Sequence, residues 1–428
     1  MLRKSRNLSC VVIKHSPSSK RTRFTANLSR LSAATLLCLS ASMASAQENA
    51  IATRGELLLY GNTTETWSRS VFNRVAQVAD DSLNVELRPD FDATHESFST
   101  TLRPRFIASA QDDAHHSEAW LNEGWLRWRP VAGTSLQVGR EVLLWGPSAF
   151  WNPSNPFFRN NNKENPKREI IGHDFLRARW QLDEATSVSL ISQLGQGHKP
   201  DTRAISAPRR DAIKADWIGS EASVAALVSA EPGKSLGWQG WAQWTANDAL
   251  ILYGEAAWQR PQPYLQLQAD GKSWQRSDSH PYGLNAVLGA AYTFESNWTL
   301  NTEYWRNAAG LTEAESDALA TSVATLATRT DATGRGQLAN LIQISDPMRR
   351  HYIGLQLVNS SDAKTGWTLR YKHNLNDGSG EAFVMIRHDI GDRLQLWGNL
   401  MQRHGSHGDE YGRWVRSSAM LGLSWFVW

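Results

Sequence analysis

The sequence predicts an all-β fold: a transmembrane, antiparallel up-and-down β-barrel of about eighteen strands, within a range of sixteen to eighteen. Three observations lead there. Polar and apolar residues alternate with period two over runs of about ten residues, the length a tilted strand needs to cross a bilayer. The segments between those runs alternate between short turns and long loops. Aromatic usage is inverted, with 20 Trp against 9 Tyr and 12 Phe. A mean hydropathy of −0.45 looks soluble only because alternation averages each apolar residue with a polar neighbour.

Residues 1–46 read as a secretory signal peptide. Arg3, Lys4, Arg6, Lys14, Lys20, Arg21, Arg23 and Arg30 occur with no acid, then an apolar stretch from Leu31 to Met43 and Ala44-Ser45-Ala46 before Gln47. Cleavage leaves 47–428 as one outer-membrane barrel domain. It removes eight of 45 basic residues, so 37 face 42 acids and the net charge passes from +3 to −5. Both cysteines leave with the leader, which excludes disulfides, thiolate metal sites and thiol catalysis from the exported chain. Nucleic acid is not expected as a partner of an exported acidic chain, and no cofactor is expected.

The strands follow in order. Residues 82–93 set Ser82, Asn84, Glu86, Arg88, Asp90 and Asp92 on one face and Leu83, Val85, Leu87 and Phe91 on the other. Residues 98–109 and 174–182 repeat the pattern. The first nine segments are 54–66, 81–92, 97–110, 118–130, 133–141, 174–182, 186–194, 212–219 and 221–230. The rest are 235–246, 248–259, 284–295, 298–307, 349–359, 365–374, 380–390, 391–404 and 413–428. Connections such as Pro130–Gly133, Asp183–Ala185 and Ser296-Asn297 are short; 67–80, 141–173, 195–211, 260–283 and 308–348 are long. That places short turns and both termini on the periplasmic side and long loops outside. Residues 47–53 leave no room for a plug domain. One loop holds a short helix, opened by a Thr312/Glu315 capping box and continued by Leu319, Val323 and Leu326.

Trp67, Trp120, Trp128, Trp145, Trp258, Trp298, Trp305 and Trp367 fall near strand ends, where indoles suit the headgroup region. Trp238, Trp241 and Trp244 crowd one segment, with room for lumen-facing rings. The last strand ends on Trp428, with Phe426 and Met420 in phase, and resembles the C-terminal signal read by the barrel-assembly machinery. That machinery and outer-membrane lipid are the expected partners.

The polar faces supply the lumen candidates: Arg88, Arg103, Arg105, Arg127, Arg129, Arg177, Arg179, Arg370, Lys372 and Arg393, with Lys214, Arg387 and Arg403. The acids there are Glu56, Glu86, Asp90, Asp92, Glu123, Asp216, Glu255, Glu303 and Asp389, so the lumen leans basic, 13 to 9. Such a lumen concentrates anionic solutes, with Arg offering two-pronged contacts to carboxylate or phosphate. The competing reading has the same charges pair across strands to fill a wet interior. The long loop 141–173 supplies the constriction candidates Arg140, Trp145, Gly146, Pro147, Trp151, Asn152, Phe157, Phe158 and Arg159. Its prolines and aromatics predict a loop folded inward, and rings beside Asn and Arg also suit a carbohydrate.

Val138-Gly139-Arg140-Glu141-Val142-Leu143-Leu144-Trp145-Gly146-Pro147 resembles the G-R…W-G strand-to-loop motif of a porin-like group of Gram-negative outer-membrane barrels that includes alginate-export-type channels. Its Trp-Gly-Pro is similar to capsule-assembly barrels. The resemblance implies a conduit, or a surface-binding barrel, for sugars or acidic polymers. Two functions follow: a porin or export-type channel for an anionic or carbohydrate solute, and a non-conducting barrel that binds or organises surface polysaccharide. An enzyme is not expected. His115-His116 with Asp112-Asp113, and His404 with His407 and Asp409, lack catalytic or metal spacing.

Overall fold

Eighteen strands form one closed ring in the computed structural model. It describes residues 49–67, 81–111, 114–158, 167–197, 209–233, 235–260, 264–267, 274–277, 282–329, 331, 348–360, 362–406, 408–413 and 415–427. The leader 1–46 lies outside the described residues. The ring begins with β1 (Asn49–Thr66), β2 (Asp81–His95), β3 (Phe98–Gln111), β4 (Ala114–Trp128), β5 (Thr134–Glu141) and β6 (His173–Gln181). It continues through β7 (Thr186–Gly195), β8 (Asp211–Ile218), β9 (Ala222–Ala230), β10 (Gly237–Thr245) and β11 (Leu250–Gln259). A separate hairpin, β12 (Tyr264–Leu267) with β13 (Trp274–Ser277), stands outside the ring. The ring resumes with β14 (Gly283–Thr293), β15 (Thr299–Arg306), β16 (His351–Val358) and β17 (Thr365–Asn374). It ends with β18 (Gly380–Ile390), β19 (Leu394–His404) and β20 (Val415–Phe426). Neighbours pair antiparallel, and β20 returns to β1 from Glu56↔Phe426 to Thr66↔Val415, so the ring of described strands has no open edge.

The eighteen ring strands are the eighteen segments expected from the sequence, with ends moved by a few residues. The β12–β13 hairpin, within 260–283, was not expected. Helix α1 (Glu313–Ala327) starts as its sequence demands: Thr312 Oγ1 accepts from Glu315 N while the Glu315 carboxylate accepts from Thr312 N. Tight turns close the other end. In 182–185 the Asp183 carboxylate accepts from Ala185 N and Thr186 N, both at 2.8 Å. These amides hold the carboxyl below its ordinary range, so the turn keeps this contribution above the unfolded pKa and loses it as pH falls through the lowered folded value.

Burial is inverted relative to a water-soluble sheet. On β2, Asn84, Glu86 and Arg88 are buried while Leu83, Val85 and Phe91 are exposed. The same holds around the ring, where Leu102, Leu126, Leu176, Ile213, Leu288, Ile386, Leu400 and Leu421 face outward. An apolar belt of this extent is stable only in lipid. Leu288, 65% exposed midway along β14, tests it. Leu288→Arg should cost about 2–4 kcal/mol in equilibrium unfolding from vesicles, as for a charge at the bilayer midplane. An unchanged midpoint would show that this face does not meet hydrocarbon.

The indoles divide between two environments. Trp128 and Trp258 are exposed at strand ends, stacked on Phe98 and Tyr282 respectively. Trp298 and Trp367 meet edge-to-face at 5.1 Å at the turn end. Trp238 and Trp244 face out, while Trp241 shares the face of buried Gln239. Trp305 and Trp145 correct the girdle expectation: Trp305 is 3% exposed in the lumen, and Trp145 packs inside on Phe157. Trp305 has the parity of Glu303, the signal that places it inside.

Candidate functional site

The loop between β5 and β6 folds into the barrel and reaches the far wall. β15 stands eight strands on from β5 in the ring of eighteen, six to β11 and then β14 and β15, so loop contacts on β11 and β15 span the lumen. The loop leaves β5 over an apolar cushion. Leu143, Phe157 and Phe158 pack with Phe175 of β6, Ile191 of β7, Ala212 of β8 and Leu227 of β9. Asn155, fully buried, ties this limb together: its amide donates to Leu143 O at 2.8 Å and its carbonyl accepts from Phe157 N and Phe158 N, each at 3.0 Å. Asn152 donates to Trp145 O, and Trp145 Nε1 donates to Ser154 O at 3.2 Å.

The tip is held by two buried carboxylates. Glu255 of β11 accepts from Ser148 N at 2.8 Å, from Ser154 Oγ at 2.8 Å and from Ser154 N at 3.4 Å. Glu303 of β15 accepts from Ser148 Oγ at 2.9 Å, from Ala149 N, and from Tyr253 Oη at 2.8 Å. Gly146 makes the approach possible. Its φ is +88°, and a Cβ there would lie 2.5 Å from Glu255 Oε1. Beyond the tip, Phe150 stacks on Trp305 at 5.5 Å, and Trp305 on Tyr352 at 5.3 Å. Both Phe150 and Trp305 rest on Gly354, where a Cβ would come within 2.6 Å of the indole. Arg370 lies 4.2 Å over the Phe150 ring and donates to Ala149 O at 3.0 Å. Trp151 packs against the same cluster.

The returning limb crosses to β1 and β20. Lys167 Nζ donates to Glu56 of β1 at 2.7 Å and to Ser424 of β20 at 2.9 Å, and its carbonyl accepts from Arg88 at 2.7 Å. Glu169 pairs with Arg105, and Asn122 donates to Ile170 O at 3.1 Å. A bulge opposite Arg103/Pro104 leaves Asn122 without a register partner, so Asn122 and Glu123 both meet the loop, Glu123 through Val142 N at 3.3 Å.

The sequence-derived candidates fall into three settings. Several are paired within the wall or to the loop. Arg88 makes a two-pronged contact with Glu86, both bonds 2.8 Å; Arg103 meets Glu123; Lys372 and Arg403 share Glu381 at 2.6 and 2.7 Å. Arg140 lies on the wall, paired with Asp174 at 2.8 Å. Arg129 follows the end of β4 and Arg393 sits in the turn 391–393, both exposed. Arg159 lies outside the described residues, whereas Pro147 follows Gly146 at the bend that delivers the tip.

The third setting is a basic strip on the inner faces of β4–β8. Arg127 and Arg177 both donate to Gln137 Oε1, at 2.7 and 3.0 Å. Arg179 reaches Gln181 and Ser187, each at 3.2 Å. Lys214 pairs with Asp216, and Arg177 with Glu141 at 2.9 Å. Glu123 of β4 is held by Arg103 of β3, so the strip sets its four cations against two further carboxylates, Glu141 and Asp216. Trp145 of the loop stands over Lys214 at 5.1 Å, and Arg127 lies 4.7 Å over the Trp125 ring. The glutamates that anchor the loop were visible in the sequence only as lumen acids. Among the described residues no cluster of His, Cys, Asp and Glu could hold a metal ion.

No family model and no curated protein matches the sequence. Among solved structures the fold is similar to OccK5 (OpdH) of Pseudomonas aeruginosa, with TM-score 0.51 and 10% identity over 88% of this chain and 98% of that one. It is likewise similar to OccK11 (OpdR) of the same organism, with TM-score 0.51 and 12% identity over 88% and 96%. At these identities the likeness is one of fold: the closed eighteen-strand antiparallel β-barrel.

Proposed function

We propose that the protein is a channel of the bacterial outer membrane that passes an anionic or carbohydrate solute. One observation carries the reading: a strip of Arg127, Arg177, Arg179 and Lys214, with half as many carboxylates, faces a lumen crossed by an aromatic loop. A closed barrel with an apolar exterior supports reading that strip as lining water inside lipid. There it draws anions, and guanidinium beside indole suits a solute carrying both carboxylate and sugar faces. The resemblance of Val138–Pro147 to alginate-export-type and capsule-assembly barrels supports a saccharide.

Planar-bilayer recording under a salt gradient tests the proposal. The wild type should show a reversal potential of anion-selective sign, and R127Q/R177Q/R179Q should lose most of that selectivity while still conducting. A cation-selective wild type would overturn the anionic reading. The second reading, a non-conducting barrel that holds polysaccharide, draws on the same loop because it is anchored on opposite walls. Absence of conductance with the loop tip released would favour it, and binding of acidic polysaccharide to intact cells would then be its test.

A further inference from the structure

The outside of the barrel carries a feature that takes no part in the lumen. At the loop end of β15–β19, Tyr304 is in register with Ile353, Ile353 with His373, His373 with Gly380 and Gly380 with His404. Two residues further toward the loops, Arg306 is in register with His351. These residues face outward because their neighbours face the lumen. Glu303 and Arg370 bind the inward loop, Trp305 stacks between Phe150 and Tyr352, and Arg403 pairs with Glu381.

The rings form two stacks. Tyr304 lies against His351, centroids 6.1 Å apart, with its hydroxyl 2.7 Å from Nδ1. Tyr371 lies nearly parallel to His373 and His404, at 6.0 and 6.1 Å, with its hydroxyl 2.9 Å from His404 Nε2. Gly380 makes room for the second stack: a Cβ there would fall 2.6 Å from His404 Nε2 and 2.9 Å from the Tyr371 hydroxyl. With the phenol as donor, His351 and His404 each keep an N–H on the other ring nitrogen.

The turn end of the same strands is different. It presents the Trp298–Trp367 pair and Ile390, with His388 held against Thr365 at 2.8 Å. Indoles suit any headgroup region. Three imidazoles, two phenols and a guanidinium along the loop-side rim instead suit a leaflet whose headgroups are strong anionic acceptors. Directly toward the membrane centre, Leu355, Leu369, Ile386 and Leu400 are exposed and offer acyl chains a surface.

We propose that this rim binds the anionic phosphate headgroups of lipids in the loop-side leaflet, with His373 and His404, which both reach the Tyr371 hydroxyl, on one phosphate, Arg306 and His351, in register on neighbouring strands, on another, and the aliphatic belt beneath on the chains. Native mass spectrometry of the full barrel in detergent, with phosphatidic acid and phosphatidylcholine at equal concentration, tests it. The wild type should retain phosphatidic acid several-fold over phosphatidylcholine. R306Q/H373A/H404A should lose that preference while keeping the heat-modifiable gel mobility of a folded barrel, and W298A at the opposite rim should keep both. Should the triple variant fail to fold, R306Q alone, at an exposed side chain, should reduce the preference. Equal retention of the two lipids by the wild type, or an unchanged preference in the folded variants, would overturn the proposal. Displacement of the lipid by inorganic phosphate at matched concentration would overturn it in favour of a free-anion site.

Discussion

Replacing Glu255 and Glu303 together by alanine will raise the single-channel conductance severalfold. The two carboxylates accept five hydrogen bonds from the loop: Ser148 N and Oγ, Ala149 N, and Ser154 N and Oγ. A hydrogen bond to a charged group contributes about 1.5–3 kcal/mol, so two at the low end already amount to about a hundredfold in the ratio of docked to undocked tip. The exit limb remains on its apolar cushion of Phe157, Phe158 and Phe175, so the barrel stays folded while the tip swings free. E255Q/E303Q, which keeps one acceptor oxygen per side chain, should give a smaller rise. A conductance unchanged in the double alanine variant would show that the tip does not limit flow.

Arg105→Met should have the largest effect on stability and little on selectivity. Arg105 is 2% exposed and faces Asp90 at 2.9 Å, Glu169 at 2.6 Å through Nη2, and Pro89 O at 3.1 Å. Its removal leaves Asp90 and Glu169 without their shared cation, a change that costs about 3–5 kcal/mol when one partner of a buried ion pair is lost. Equilibrium unfolding in detergent should report that loss, while the reversal potential stays near the wild-type value. R179Q should do the opposite, since Arg179 reaches only Gln181 and Ser187 through its described bonds. A selectivity change in R105M equal to that in R179Q would mean that pairing does not decide which arginines the solute meets.

The ring was legible because a strand with lipid on one side and water on the other must alternate, and alternation is local. Residues 82–93 and 174–182 needed no partner to declare their faces. The inward loop was legible for a similar reason: Trp145, Phe150, Trp151, Phe157 and Phe158 cannot be left in water. What holds it was not, because Glu255 lies 107 residues from Ser148 and Glu303 lies 155 from it. The bulge that turns both Asn122 and Glu123 inward shifts the alternation of β4 by one residue, so Arg127 is in phase with Glu123 but not with Trp120. The short β12–β13 hairpin was missed because four-residue strands are too brief to show a period. Trp145 and Trp305 misled because nearness to a strand end says nothing of the face.

Lys167 has a consequence for the order of assembly. Its ammonium bridges the first strand and the last, 111 residues from Glu56 and 257 from Ser424. The loop can dock fully only after β11, β15, β1 and β20 have all taken their places in the ring, and stays undocked until they have. Docking is then a late, long-range event whose entropy is met only after closure. The completed ring is fastened from within across its own seam, and a barrel that closes out of register leaves its throat open.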